Sequence, residues 1–168
     1  MKLQSKLQSE LCYADMKSIL FCSIFSLIAG MLTGIFGGSG EFYKNLPIPL
    51  WILGKGGFIV LWSLFYILLG ACVGWILGGK SYYSSCTVRS ALFFFCLLFL
   101  TNLLWYPIFF GLCAPLFAFL ILVIHLLISI YTTAILLKTF LLPSIILIVY
   151  DGWLLYCLLA NFCIIMLN

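Results

Sequence analysis

Asn102-Leu103-Leu104-Trp105-Tyr106-Pro107-Ile108-Phe109-Phe110-Gly111 sets an amide, a tryptophan and a proline within six residues of one another inside a long apolar run. Asn102, Trp105 and Phe109 stand at i, i+3 and i+7, so on a helix they share one face. Hydrocarbon gives an amide no bulk water. Asn102 therefore needs a partner from a neighbouring helix, a water or a ligand. The stretch reads either as the polar floor of a cavity between membrane helices or as the site of one interhelical hydrogen bond.

Composition supplies the membrane. Of 168 residues, 66% are hydrophobic and 7% charged, too little charge to solvate a soluble domain of this size. A span needs about 20 apolar residues, and the chain has room for five. The sequence predicts an all-α, polytopic membrane protein, a five-helix bundle forming one domain over 1–168, with spans at 18–36, 58–77, 90–106, 115–137 and 140–167. The net charge of +4 acts as a topology signal, because no basic stripe or nucleic-acid module accompanies it. The expected partner is the bilayer and not a nucleic acid. The eight cysteines include no C-x-x-C and no Cys/His metal spacing, so neither a disulfide framework nor a metal site is expected. No nucleophile–base pair or paired carboxylates share a face, and no catalytic residue is assigned.

Before the central stretch lie two glycine patterns. Gly30, Gly34 and Gly38 repeat every four residues in the first span, a small-residue ridge that lets helix backbones approach closely. Trp62, Tyr66, Gly70, Gly74 and Gly78 repeat in the same way in the second span, with aromatics at one end and glycines at the other. Trp62 and Tyr66 carry an N–H and an O–H into an apolar span, where both need partners. Between the spans, 37–57 is rich in glycine and proline and carries Tyr43 and Trp51. It reads as a lid over a cavity mouth or as a linker. The segment 79–89 reads as a polar turn, and Pro107 as the start of a short link.

After the central stretch come two intramembrane ionisable residues, His125 and Asp151. Such groups are costly in a span, about 2.5–3.5 kcal/mol for an Asp on insertion scales, and mark function by default. His125 reads as a hydrogen-bonded structural residue or a proton relay. Asp151 lies about 200° around the helix from Trp153, so it need not face the same space. Tyr150, Trp153, Cys157 and Ala160 share one face of the last span. The N-terminal tail and the second and fourth connections carry Lys2, Lys6, Lys17, Lys80, Arg89 and Lys138, against Lys44 and Lys55 opposite. That bias predicts a cytoplasmic N-terminus.

Four motifs in this order resemble the TspO/MBR family, the tryptophan-rich sensory proteins that include the mitochondrial translocator protein (the peripheral-type benzodiazepine receptor). Pro49-Leu50-Trp51 resembles the family's Lys-Pro-x-Trp, Trp62 to Gly70 its Trp-x-x-Leu-Tyr-x-x-Met-Gly, and Asn102 to Gly111 its Asn-x-x-Trp-x-Pro-x-Phe-Phe-Gly. Tyr150, Trp153, Tyr156, Asn161 and Asn168 resemble its last-helix pattern. Departures are Ile48, Leu53-Gly54, Leu98, Ile121 and Val149, where the family carries Lys, Pro-Pro, Gln, an acidic residue and Pro. They bear on polar ligand contacts and lid shape more than on fold.

The resemblance implies a five-helix bundle, often a homodimer, with a pocket under the first loop. By that resemblance the wall is Trp51, Trp62, Tyr66, Asn102, Trp105, Trp153 and Cys157. The implied ligand is a porphyrin or other tetrapyrrole (protoporphyrin IX or haem-like), or a sterol-like small molecule, with no required cofactor. Some bacterial relatives are associated with light-dependent porphyrin breakdown, which would make Trp62 and Trp153 the residues to suspect. Three functions stay open: a tetrapyrrole sensor, scavenger or transporter; a proton-coupled transporter using Asp151 or His125; and a membrane interaction protein assembling through Gly30, Gly34, Gly70 and Gly74. The expected location is a bacterial membrane, an organellar one being the alternative.

Overall fold

The computed structural model describes residues 14–37 and 45–167. Residues 1–13 of the N-terminal tail, with Lys2 and Lys6, and Gly38, Tyr43, Lys44 and Asn168 lie outside the described residues. Five helices among them are long and apolar enough to cross a membrane. They are α1 (Met16–Thr33), α2 (Lys55–Gly78), α3 (Ser85–Tyr106), α4 (Pro115–Leu136) and α5 (Leu141–Leu167). In hydrocarbon a helix is the conformation that satisfies every backbone donor and acceptor within one segment. The sequence marks the ends. Asp15 caps α1, accepting from the Lys17 N–H at 3.2 Å and the Ser18 hydroxyl at 2.5 Å. The Ser18 hydroxyl, above all, holds the exposed Asp15 carboxyl below its ordinary range. Ser84 caps α3 through the Thr87 N–H at 3.2 Å, and Pro115 opens α4, where its missing N–H costs nothing.

Three boundaries differ from the sequence expectation. Helix α2 begins at Lys55, so Gly56 and Gly57 belong to its first turn. Helix α3 begins at Ser85, which places Arg89 on the helix, its Nε donating to the Ser85 carbonyl at 3.3 Å. Pro107 does not start a link: Pro107–Gly111 continues α3 as a π-turn, closed by the Leu112 N–H on the Pro107 carbonyl at 2.9 Å. Inside a continuous helix Pro107 removes the i→i−4 hydrogen bond to the Leu103 carbonyl, and a π-turn is a local adjustment that accommodates such a break. The turn then ends at Cys113, whose φ of 51° reverses the chain.

The helices form a ring in the order α1, α2, α5, α4, α3, with the α1–α3 seam the most sparsely packed. Lipid is as apolar as leucine, so helix association here rests on close packing more than on water exclusion. The glycines permit that packing. A Cβ at Gly70 would stand 2.4 Å from the Cys22 carbonyl oxygen, and one at Gly74 2.5 Å from the Ile19 Cα. Both contacts are with the α1 backbone. The α2 glycine ridge is therefore consumed inside the chain, docking α1. A Cβ at Gly30 would stand 2.3 Å from the Tyr66 ring, whereas Gly34 faces open space.

Candidate functional site

The open space beside Gly34 is a cavity of ≈ 210 Å³ at one end of the bundle. The end of α1 contributes Gly30, Met31, Thr33 and Gly34; the start of α2 contributes Phe58, Ile59, Trp62, Ser63 and Tyr66; the end of α3 and its π-turn contribute Asn102, Trp105, Tyr106 and Phe110. The π-turn matters because it carries Phe110 on past the last α-helical residue, where Phe110 packs on Trp105 and Tyr106 with ring centroids at 6.0 and 4.6 Å.

Aromatic rings form the inner wall. Trp62 stacks on Trp105 at 5.5 Å and 27°, and Trp105 stacks on Phe109 at 5.3 Å. Behind Trp62 stand Trp153, at 6.0 Å, and Tyr150, at 6.5 Å, both edge-on. Polar atoms on this wall lack protein partners. Both amide atoms of Asn102 (2% exposed) and the indole N–H groups of Trp62 and Trp105 are buried without a hydrogen bond. Each such atom costs about 1–3 kcal/mol. The Tyr66 hydroxyl, by contrast, has the Thr33 side chain as a polar neighbour.

Of the residues named from the sequence, Trp62, Tyr66, Asn102 and Trp105 line this cavity together. Three others do not. Trp153 stands in the second layer. Cys157 is buried in α5 beside a void of ≈ 10 Å³ shared with Phe58, Trp105 and Phe109. Trp51 is 50% exposed and lies edge-on to Tyr156 at 5.9 Å. The reason is local: Ile52, not Trp51, is the residue of the turn that buries, and Tyr156 fixes the turn. Its hydroxyl accepts from the Leu53 N–H at 2.8 Å and donates to the Trp51 carbonyl at 3.3 Å. The described half of the first connection is thus fastened to α5. Sequence reasoning placed Tyr156 only within a motif. It also missed Phe58, Ser63, Tyr106 and Phe110. Tyr106 and Phe110 sit inside the quoted central stretch and were legible as its i and i+4 pair.

The TspO/MBR family model matches residues 19–167. The chain belongs to the TspO/MBR family. No curated protein matches it. As a TspO/MBR protein with five apolar helices, it is an integral multi-pass membrane protein.

This TspO/MBR chain also has a buried polar chain apart from the cavity. His125 (1% exposed) bonds Tyr150 (0% exposed) through Nε2 at 2.7 Å, and its Nδ1 bonds the Thr101 hydroxyl. Thr101, on α3, directs its hydroxyl at the Leu97 and Leu98 carbonyls of its own helix, at 2.9 and 3.1 Å. One turn on, Ser129 and Thr133 of α4 both donate to the Asp151 carboxylate, Thr133 at 3.1 Å. Asp151 therefore faces α4, as its angular offset from Trp153 predicts. Neither His125 nor Asp151 lines the cavity.

Proposed function

We propose that the cavity between α1, α2 and α3 binds a flat, largely apolar aromatic ligand of the tetrapyrrole class, and that the protein acts as its sensor, scavenger or carrier in the membrane. One observation carries the reading: the unpartnered Asn102 amide and the two unpartnered indole N–H groups sit on a wall of stacked rings. Rings offer faces on which a macrocycle stacks, and a few polar atoms fix its orientation. Propionate, carbonyl or pyrrole groups would satisfy what the protein leaves unmatched.

The cavity's ≈ 210 Å³ is below the roughly 300–1,000 Å³ of drug-sized sites. A second cavity of ≈ 190 Å³ continues along the α1–α3 seam, lined by Phe25, Leu69, Phe95 and Phe99 among others. Tyr66 lines the first, Phe99 lines the second, and the two rings meet edge-on at 6.2 Å. Rotation of that pair would join the spaces along the least packed seam of the ring. A macrocycle would be accommodated by joining the two spaces in this way; a sterol-like molecule is the alternative occupant.

The test is a dark titration of the purified protein with protoporphyrin IX, followed by tryptophan fluorescence. Saturable quenching, weakened by Trp62→Phe with Trp105→Phe, is the expected result. Quenching that never saturates, or that ignores both substitutions, rejects the reading. Proton-coupled transport through His125 and Asp151 has a weaker basis, because both side chains are satisfied within the protein and stand off the cavity. Two further proposals go with this reading. The chain sits in a bacterial membrane with its N-terminus cytoplasmic, on the lysine and arginine bias. It pairs as a homodimer through surfaces other than Gly70 and Gly74.

A further inference from the structure

We propose that the cavity in the α1–α3 seam is a second ligand site, for a membrane-dissolved flat ketone of the quinone class. The site stands independently of what the first cavity binds. It measures ≈ 190 Å³ and is walled by Phe25 of α1, Leu69 and Gly70 of α2, and Phe95 and Phe99 of α3. Tyr66 and Phe99 meet edge-on at 6.2 Å between the two cavities, so the seam is a compartment of its own. Phe21, Phe25 and Cys96 of its lining are exposed on the outside of the bundle. Its mouth therefore opens on acyl chains and not on water.

Ser26 decides what the site takes. It lines the cavity, is 4% exposed, and its hydroxyl has no hydrogen-bond partner. A helical serine ordinarily turns its proton to the carbonyl four residues back. Here that carbonyl, of Cys22, lies against Gly70 of α2. A buried hydroxyl left unmatched calls for a partner from outside the chain. Ser26 is the oxygen-bearing side chain of this lining among the described residues, so the site offers one strong polar contact. A ligand carbonyl is a pure acceptor, and one bond from the Ser26 O–H satisfies both groups. A ligand alcohol brings a second proton, and one of the two stays unmatched.

Depth narrows the ligand further. Ser26 stands about 15 Å along α1 from Met16 and about 10 Å from Thr33, at 1.5 Å per residue. In a hydrocarbon core about 30 Å thick that is close to the centre. The ester carbonyls of a phospholipid stay at the edge of that core and do not reach Ser26. The ligand is thus a molecule that carries its carbonyl into hydrocarbon. The phenylalanine rings of α1 and α3 favour a flat conjugated body over a saturated one, because ring pairs gain contact energy beyond area alone. A benzoquinone ring meets all three conditions: it is flat, dissolves in the bilayer and carries acceptors without donors. The Cys22 and Cys96 thiols of the same lining are weak donors for its second carbonyl.

The test uses the full chain in nanodiscs, with benzophenone as a photoreactive aryl ketone and decylubiquinone as its competitor. Under near-ultraviolet light the benzophenone carbonyl inserts into neighbouring C–H bonds, and peptide mass spectrometry locates the adduct. In the wild type, labelling saturates, falls on segments 21–26 and 92–99, and is suppressed by decylubiquinone. Ser26→Ala weakens the competitor's apparent affinity about tenfold, the value of one hydrogen bond to a buried group. Ser26→Thr, which keeps the hydroxyl, retains it. Labelling that never saturates, that falls on Trp62 and Trp105 instead, or that is suppressed equally well in Ser26→Ala overturns the proposal. Equal suppression by oleic acid or a sterol would show that the seam takes any apolar molecule, and overturns the ketone assignment. Dark binding of protoporphyrin IX depends on Trp62 and Trp105 and not on Ser26, so the two readings fail separately.

Discussion

Trp62 of α2 and Trp105 of α3 stack at 5.5 Å with their planes 27° apart, and this pair is the back wall of the cavity. Two indoles from different helices act there as one surface. Replacing either with leucine therefore removes most of what the pair offers a flat ligand. The double replacement should cost less than the sum of the single ones, with a coupling of about 0.5–1.5 kcal/mol. Dissociation constants for protoporphyrin IX across the four proteins measure it. Strictly additive losses would mean that the two rings do not share a ligand.

Asn102 tests the division between fold and site. Its amide has no protein partner, so Asn102→Leu removes a cost of about 1–3 kcal/mol to the unliganded protein. The substitution should leave thermal stability unchanged or raised, and weaken ligand binding about tenfold, the value of one lost hydrogen bond to a buried group. A large loss of stability would show that Asn102 holds helices together.

Gly70 and Gly34 should separate just as sharply. A side chain at Gly70 collides with the Cys22 backbone, which cannot yield without moving α1. Gly70→Leu should detach α1 and cost more than the 1–3 kcal/mol of ordinary overpacking, seen as lowered unfolding temperature and cleavage near α1. A Cβ at Gly34 meets nothing within 4 Å, and Gly34→Leu should fold normally, with its side chain directed at the cavity that Gly34 lines. If Gly70→Leu instead yields a stable protein with an altered oligomeric state, the ridge serves assembly.

Tyr156 fastens the turn at Trp51 to α5 by two hydrogen bonds. Tyr156→Phe should loosen it by roughly 1 kcal/mol. Limited proteolysis within 45–54 should quicken, and bound ligand should leave faster, while the helices melt as before. Unchanged proteolysis would mean that the buried Ile52 alone holds the turn.

Much of this was legible in the residues because the membrane simplifies the problem. Five spans follow from length and hydropathy, since a helix is what hydrocarbon permits. Face geometry grouped Asn102 with Trp105, and Tyr150 with Trp153 and Cys157, because i, i+3 and i+7 fix direction on a helix. It could not say which layer a face occupies. Cys157 and Trp153 face inward and stop behind the wall, while Trp51 lies on a turn where no period applies. The glycine ridges read as close packing but gave no partner; only tertiary structure shows that α1 is the partner of Gly70 and Gly74. The Thr101–His125–Tyr150 chain joins three helices, and no spacing within one of them announces it. The π-turn at Pro107 was hidden for the opposite reason, since a proline there is compatible with both a stop and a continued turn.

The central claim is that the space beside Gly34 receives the ligand. Its most direct test is a side-by-side absorbance titration of wild type and Gly34→Leu with protoporphyrin IX in the dark, each first checked for equal unfolding temperature. Saturable binding to the wild type and its loss in Gly34→Leu is the predicted result. Equal binding by both proteins would place the ligand elsewhere and contradict the account.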